Sequence, residues 1–121
     1  MRLDTFRDLC LVQPFATEGQ PFGPTVLVFK VGGKMFALLS LDAVEATANL
    51  KCDPEQAVDL RERYAGVAPG YHMNKQHWNT VTLASDVPDA EIRAMVEASY
   101  ALVVASLPRA AREALAAGRE P

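Results

Sequence analysis

No apolar run in this 121-residue chain approaches the roughly 20 residues a helix needs to cross a bilayer. The first residues also lack the order of basic, apolar and small positions that marks a secretory leader. Cysteine is scarce: Cys10 and Cys52 stand far apart, without CxxC spacing, and read as two buried free thiols in a cytoplasmic protein. Positive charge is not in surplus either. Twelve Lys and Arg face 15 Asp and Glu, a formal net charge of -3, which argues against a high-affinity polyanion binder held by counterion release alone. A local basic face remains open. A Gly-rich phosphate loop and a GxSxG elbow are both missing, as are internal repeats, low-complexity segments and linkers.

What is present is an apolar half, enough for one core and too little for two, so residues 1–121 are expected to form a single domain. Leu3, Phe6, Leu9 and Cys10 at helical spacing predict a short amphipathic helix over 3–11, stopped by Pro14. Residues 17–24 carry two glycines and two prolines and read as a loop whose Phe22 plugs the core edge. Two β-branched and aromatic runs, 25–31 and 35–41, are joined by Gly32-Gly33, the residues a tight hairpin turn demands. Alternation over 44–50 predicts a third antiparallel strand with one solvated face. Asp53-Pro54-Glu55-Gln56 reads as a capped helix start. That helix buries Ala57, Val58, Leu60 and Tyr64 and ends at Gly66. A strand over 78–83 follows, then a long helix opened by Pro88, Asp89 and Glu91. Its second half, apolar nearly all round, is expected to be the buried spine. Pro108 breaks it before a short Ala/Arg helix that Gly118 stops.

Residues 66–82, GVAPGYHMNKQHWNTVT, hold both histidines, the single tryptophan and a Pro-Gly turn. His72 and His77 are five apart with no acid between them, whereas zinc or iron needs three or four convergent ligands; no metal or other cofactor is expected. Cys52 could gain thiolate character at a helix N-terminus, but the Asp53 carboxylate opposes it. Trp78 either stacks on an unpaired base or anchors the sheet, and Tyr71 poses the same alternative. Asn74-Lys75 reads as a turn that could also insert an amide and an ammonium into a groove. Lys30, Lys34 and Lys51 converge on one sheet edge if the strands pair in order, with Lys75 joining from the loop. The same lysines could instead keep that edge from pairing with another chain. The arginine pairs Arg61/Arg63 and Arg109/Arg112 read as solvated helix faces.

Gly32-Gly33-Lys34-Met35-Phe36-Ala37, Leu50-Lys51-Cys52-Asp53-Pro54-Glu55, Pro69-Gly70-Tyr71-His72-Met73-Asn74-Lys75 and His77-Trp78-Asn79-Thr80 together resemble the MmcQ/YjbR family of small bacterial proteins. Val87-Pro88-Asp89 and Ser99-Tyr100 extend the likeness over almost the whole chain. The resemblance implies an α+β, CyaY-like fold with a curved antiparallel sheet packed against helices, and DNA binding of a "double wing" kind. No catalytic set comes with it, and Gln76 stands where it implies a second basic residue.

The resulting expectation is a monomeric, non-enzymatic protein that binds double-stranded DNA weakly and without sequence preference, away from any membrane. The Gly32-Gly33 hairpin and the 69–78 loop would be its wings. Lys34, Lys51 and Lys75 would hold phosphates, while Tyr71, His72, Asn74 and His77 would meet sugar or base edges beside Trp78. The rival is a protein or small-molecule binding module in which Tyr71, His72, His77 and Trp78 form a concave pocket.

Overall fold

The computed structural model describes residues 1–41, 44–70 and 73–121. Strands β1 (Thr17–Gly19), β2 (Val26–Val31), β3 (Lys34–Ser40), β4 (Thr47–Lys51), β5 (Val67–Pro69) and β6 (Trp78–Thr82) form one open antiparallel sheet in the order β1-β2-β3-β4-β6-β5. Helices α1 (Leu3–Leu11), α2 (Pro54–Arg63), α3 (Asp89–Ala105) and α4 (Arg109–Ala116) complete an α+β fold. The β2–β3 hairpin turns as its glycines demand. Gly32 and Gly33 have φ of 57° and 79°, the pair of positive values a two-residue turn needs to follow strand twist.

Side chains alternate along a strand, and directly opposed residues share a face, so the register sorts the sheet into two surfaces. Phe29, Ala37, Leu50 and Asn79 form one ladder, and Leu27, Leu39, Ala48, Val81 and Val67 another. Nearly all are buried, in one cluster with Phe6 and Cys10 of α1, Ala57 and Leu60 of α2, and Ile92, Met95, Val96 and Val103 of α3. The opposite face carries Val28, Leu38, Asn49 and Thr80 in one ladder and Val26, Ser40, Thr47 and Thr82 in the next. Apart from Val28 and Asn49 these are half-buried, shielded by their neighbours in the sheet.

A bulge in β3 couples the sheet to α3. Phe29 faces Ala37 and Lys30 faces Met35, so Phe36 has no partner in β2 and, as bulges do, joins its neighbour on one side of the strand. Both Phe36 and Ala37 are buried, and Phe36 meets Tyr100 edge-on at 5.4 Å. The fully buried Ser99 of α3 repairs the interrupted β3–β4 ladder. Its hydroxyl donates to the Phe36 carbonyl at 2.5 Å and accepts from the Lys51 N–H at 2.8 Å.

Several local expectations are corrected. Phe22 does not plug the core edge but stands 67% exposed, whereas Phe6 of α1 is the buried aromatic that meets Phe29 edge-on. The third strand starts at Thr47, with Val44 and Glu45 exposed ahead of it. Val58 of α2 points outward, and Asp53 makes no side-chain cap bond. Gly66 is needed for space rather than for a helix stop: α2 ends at Arg63, and a Cβ on Gly66 would lie 2.1 Å from Ser85 Oγ. The second half of α3 is not buried all round, since Ala101, Leu102 and Ala105 are exposed. Strands β1 and β5, three residues each, have no counterpart in the pattern reading.

Candidate functional site

The open face of the sheet ends, towards the Gly32-Gly33 turn, in a row drawn from four strands. Lys30 opposes Met35 and Lys51 opposes Trp78. Between the two pairs, the Ser99 hydroxyl joins Phe36 of β3 to Lys51 of β4. This end of the face therefore carries Lys30 on β2, Met35 on β3, Lys51 on β4 and Trp78 on β6, all half-buried. No strand residue pointing to this face is acidic: it also presents Thr17, Val26, Val28, Leu38, Ser40, Thr47, Asn49, Ala68, Thr80 and Thr82. Among the described residues neither Lys30 nor Lys51 forms an ion pair. The described acids that do pair sit elsewhere: Asp4 with Arg2, Glu18 with Arg7, Asp59 and Glu91 with Arg63, Asp89 with the N-terminal amine, and Glu113 with Arg109.

The expected convergence of Lys30, Lys34 and Lys51 on a sheet edge is corrected in two respects. All three lie on interior strands, and Lys34 turns the other way. Its Nζ donates to the Ser106 carbonyl at 3.2 Å, at the C-terminus of α3, where the helix dipole leaves partial negative charge.

Next to Trp78, residues 73–77 form a braced turn. Asn74 Oδ1 accepts the Gln76 N–H at 2.9 Å, and the Asn74 carbonyl accepts the Trp78 N–H at 2.9 Å, so the turn expected at Asn74-Lys75 is present. The Lys75 ammonium donates to the Gly70 carbonyl at 3.1 Å. The His77 carbonyl accepts the Cys52 N–H at 2.7 Å, tying the turn to the start of α2. Gly70 leaves no room for a side chain, since a Cβ there would lie 2.8 Å from that of Trp78. Tyr71 and His72, two of the candidate contacts, lie outside the described residues.

Arg61 is the residue that pattern reading missed. Rather than facing solvent, its Nε donates to Asn79 Oδ1 at 2.7 Å, and its terminal nitrogen donates to the Lys75 carbonyl. Asn79 in turn donates to the Ala57 carbonyl of α2. The signal was available: Arg61 follows Ala57 by four residues, on the stripe of α2 that faces the sheet.

Neither thiol is poised for chemistry. Burial pushes Cys10 up to about 12. Cys52 is raised by burial first and by the Asp53 charge second, so both remain protonated at neutral pH. Among the described residues no three His, Cys, Asp or Glu side chains gather as a metal site, and no helix is long and apolar enough to cross a membrane.

A groove of about 470 Å³ runs between α2 and α3. Leu50, Leu60, Met95, Cys52 and Asp53 line it together with the outward alanines of α3, and Lys51 belongs to its lining as well as to the row above. His77 and Trp78 do not line it.

Residues 11–102 match the YjbR family model. The chain is 39% identical over 104 residues to the protein YbdF of Escherichia coli O157:H7, spanning 86% of this chain and 85% of that one. It is 32% identical over 115 residues to YjbR of Escherichia coli strain K12, covering 95% and 98%. The crystal structure of a DUF419 protein of Deinococcus radiodurans superposes with a TM-score of 0.88 at 38% identity, over 94% of this chain and 87% of the other. Sequence, register and fold agree, and the chain belongs to the YjbR family.

Proposed function

We propose that this protein is a non-enzymatic DNA-binding protein that holds the phosphate backbone weakly and without sequence preference. The observation that carries the reading is charge segregation. A molecule of net charge -3 keeps one face of its sheet free of acidic strand residues and sets Lys30 and Lys51 on it. The Lys75 amine, like that of Lys34, is already given to a backbone carbonyl. A polyanion approaching that face meets two ammonium groups that form no ion pair among the described residues, while the repulsive carboxylates lie beyond the sheet or on its helical side. The lysine set differs from the expected one: Lys30 replaces Lys34, whose amine is committed to α3.

Two phosphate contacts release few counterions, so affinity is micromolar at best and log K falls with log salt with a modest slope of about -1.8 on duplex. Fluorescence anisotropy of a labelled DNA duplex at two salt concentrations tests this. Binding at low salt that fades at higher salt supports the reading; no binding at low salt, or binding indifferent to salt, overturns it.

A second reading, a small-molecule binding module, is favoured by the apolar groove between α2 and α3, whose size and lining suit a small apolar ligand. Replacing the outward Ala98 with tryptophan fills that groove from α3 and leaves Lys30, Met35 and Trp78 alone, Lys51 being the one residue of the row that also lines the groove. DNA binding unchanged by Ala98→Trp is expected if the open face carries the function.

A further inference from the structure

We infer that the open sheet face selects unpaired nucleic acid over duplex, with one base stacked on Trp78; this rests on the DNA-binding reading above. The row Lys30, Met35, Lys51, Trp78 crosses four adjacent strands. At about 4.8 Å between strands it spans about 14 Å, wider than the ~12 Å major groove of B-form DNA. A surface of that breadth rests across a duplex rather than entering it, and there it reaches only the two phosphate backbones.

The face is poorly made for phosphates alone. Two of its accessible side chains are cations, whereas Val26, Met35 and Leu38 are apolar and Ser40 and Thr47 carry neutral hydroxyls. Pressing the apolar side chains against phosphates would strip the phosphates of water and return nothing. Unpaired bases match them, because each has an apolar face to lay on such side chains and a polar edge for hydroxyls.

Trp78 is positioned for the stacking contact. Its N–H donates to Asn74 and its carbonyl accepts from Gly70, so its backbone is held from both sides. Lys51 lies directly opposite on β4, close enough for its ammonium to meet the phosphate of a nucleotide whose base lies on the indole. Lys30, two strands further on, meets a later phosphate of the same strand.

Trp78 is the only tryptophan, so its emission reports contact directly. The test titrates the protein at low salt with a labelled 20-nucleotide single strand and with the same strand in duplex form, following anisotropy and tryptophan emission together. The expected result is at least tenfold tighter binding of the single strand, with quenching that the duplex does not produce. Trp78→Ala should weaken single-strand binding roughly five- to a hundredfold and leave duplex binding within about twofold, while Trp78→Phe, which keeps a ring, should restore most of the affinity. Equal affinity for both forms, or a single strand bound without quenching, overturns this inference and leaves DNA binding standing. Binding to neither form overturns both. If Trp78→Ala fails to fold, the wild-type affinity ratio and quench decide alone.

Discussion

At the residue scale, Ser99 and Asp86 each hold two chain segments with one side chain, and they respond to different perturbations. The Ser99 hydroxyl stands between strands that the β3 bulge has pulled out of register. Removing it strands a buried carbonyl at Phe36 and an N–H at Lys51, and each unsatisfied group costs about 1–3 kcal/mol. Ser99→Ala is therefore expected to lower unfolding free energy by about 2–4 kcal/mol in a urea titration; a loss under about 1 kcal/mol would mean that the strands close on each other without the hydroxyl. Asp86 is exposed, and its carboxylate accepts the Gly66 N–H at 2.7 Å and the Ala65 N–H at 2.8 Å. These bonds, Gly66 first, hold its carboxyl below the ordinary value. A carboxyl depressed by folding adds stability that is present above its unfolded value, about 3.9, and is lost as pH falls through the folded value. Melting temperatures of wild type and Asp86→Ala should thus differ at pH 7 and converge below pH 4. A gap independent of pH would remove the carboxylate from the explanation.

At the scale of elements, the hairpin turn and the long helix show what local pattern can and cannot deliver. Gly32 and Gly33 both adopt left-handed backbone, but only Gly32 is also crowded: a Cβ there would lie 2.8 Å from Leu107 Cδ1, whereas Gly33 has open space. Alanine at either position pays about 1–2 kcal/mol for the backbone, and alanine at Gly32 must additionally displace the buried Leu107 from its seat after α3. Gly32→Ala is expected to lower the urea midpoint more than Gly33→Ala, and equal losses would show that Leu107 yields freely. Helix α1, the hairpin and the start of α3 were legible because periodicity, paired glycines and Pro88 act within a few residues. Strands β1 and β5 were not, because three residues hold no period and pair only where β2 and β6 already offer an edge. Nor was it legible that Phe6, from a different segment, and not Phe22 would be the aromatic packed on Phe29. The candidate site divides the same way. The Asn74 turn could be read from composition, whereas the pairing of Lys51 with Trp78 needed the strand order. The reversal of Lys34 towards Ser106 and the clamp of Arg61 on Asn79 and Lys75 are contacts between distant segments.

At the scale of the whole molecule, the fold acts as a charge separator. Helices α1, α2 and α3 pack on one side of the sheet, and the acids of their first turns go with them: Asp89 and Glu91 open α3, Glu55 lies in the first turn of α2 and Asp4 in that of α1. What remains on the other side is a mostly neutral face in which two lysines set the sign, so long-range repulsion from the acidic bulk competes with short-range attraction at Lys30 and Lys51. Raising salt screens both, but the Debye length near 10 Å at 0.1 M removes the distant repulsion before it removes a contact. DNA affinity is therefore expected to fall from the lowest salt measured, with a slope that the contact lysines alone set. Replacing both Lys30 and Lys51 by glutamine keeps the stems on the sheet and deletes two counterion releases, which should reduce the limiting slope of log K against log salt by about 1.4–1.8, the lower value for single strands. A slope unchanged in the double variant would place the phosphates elsewhere on the molecule and end the case for this face.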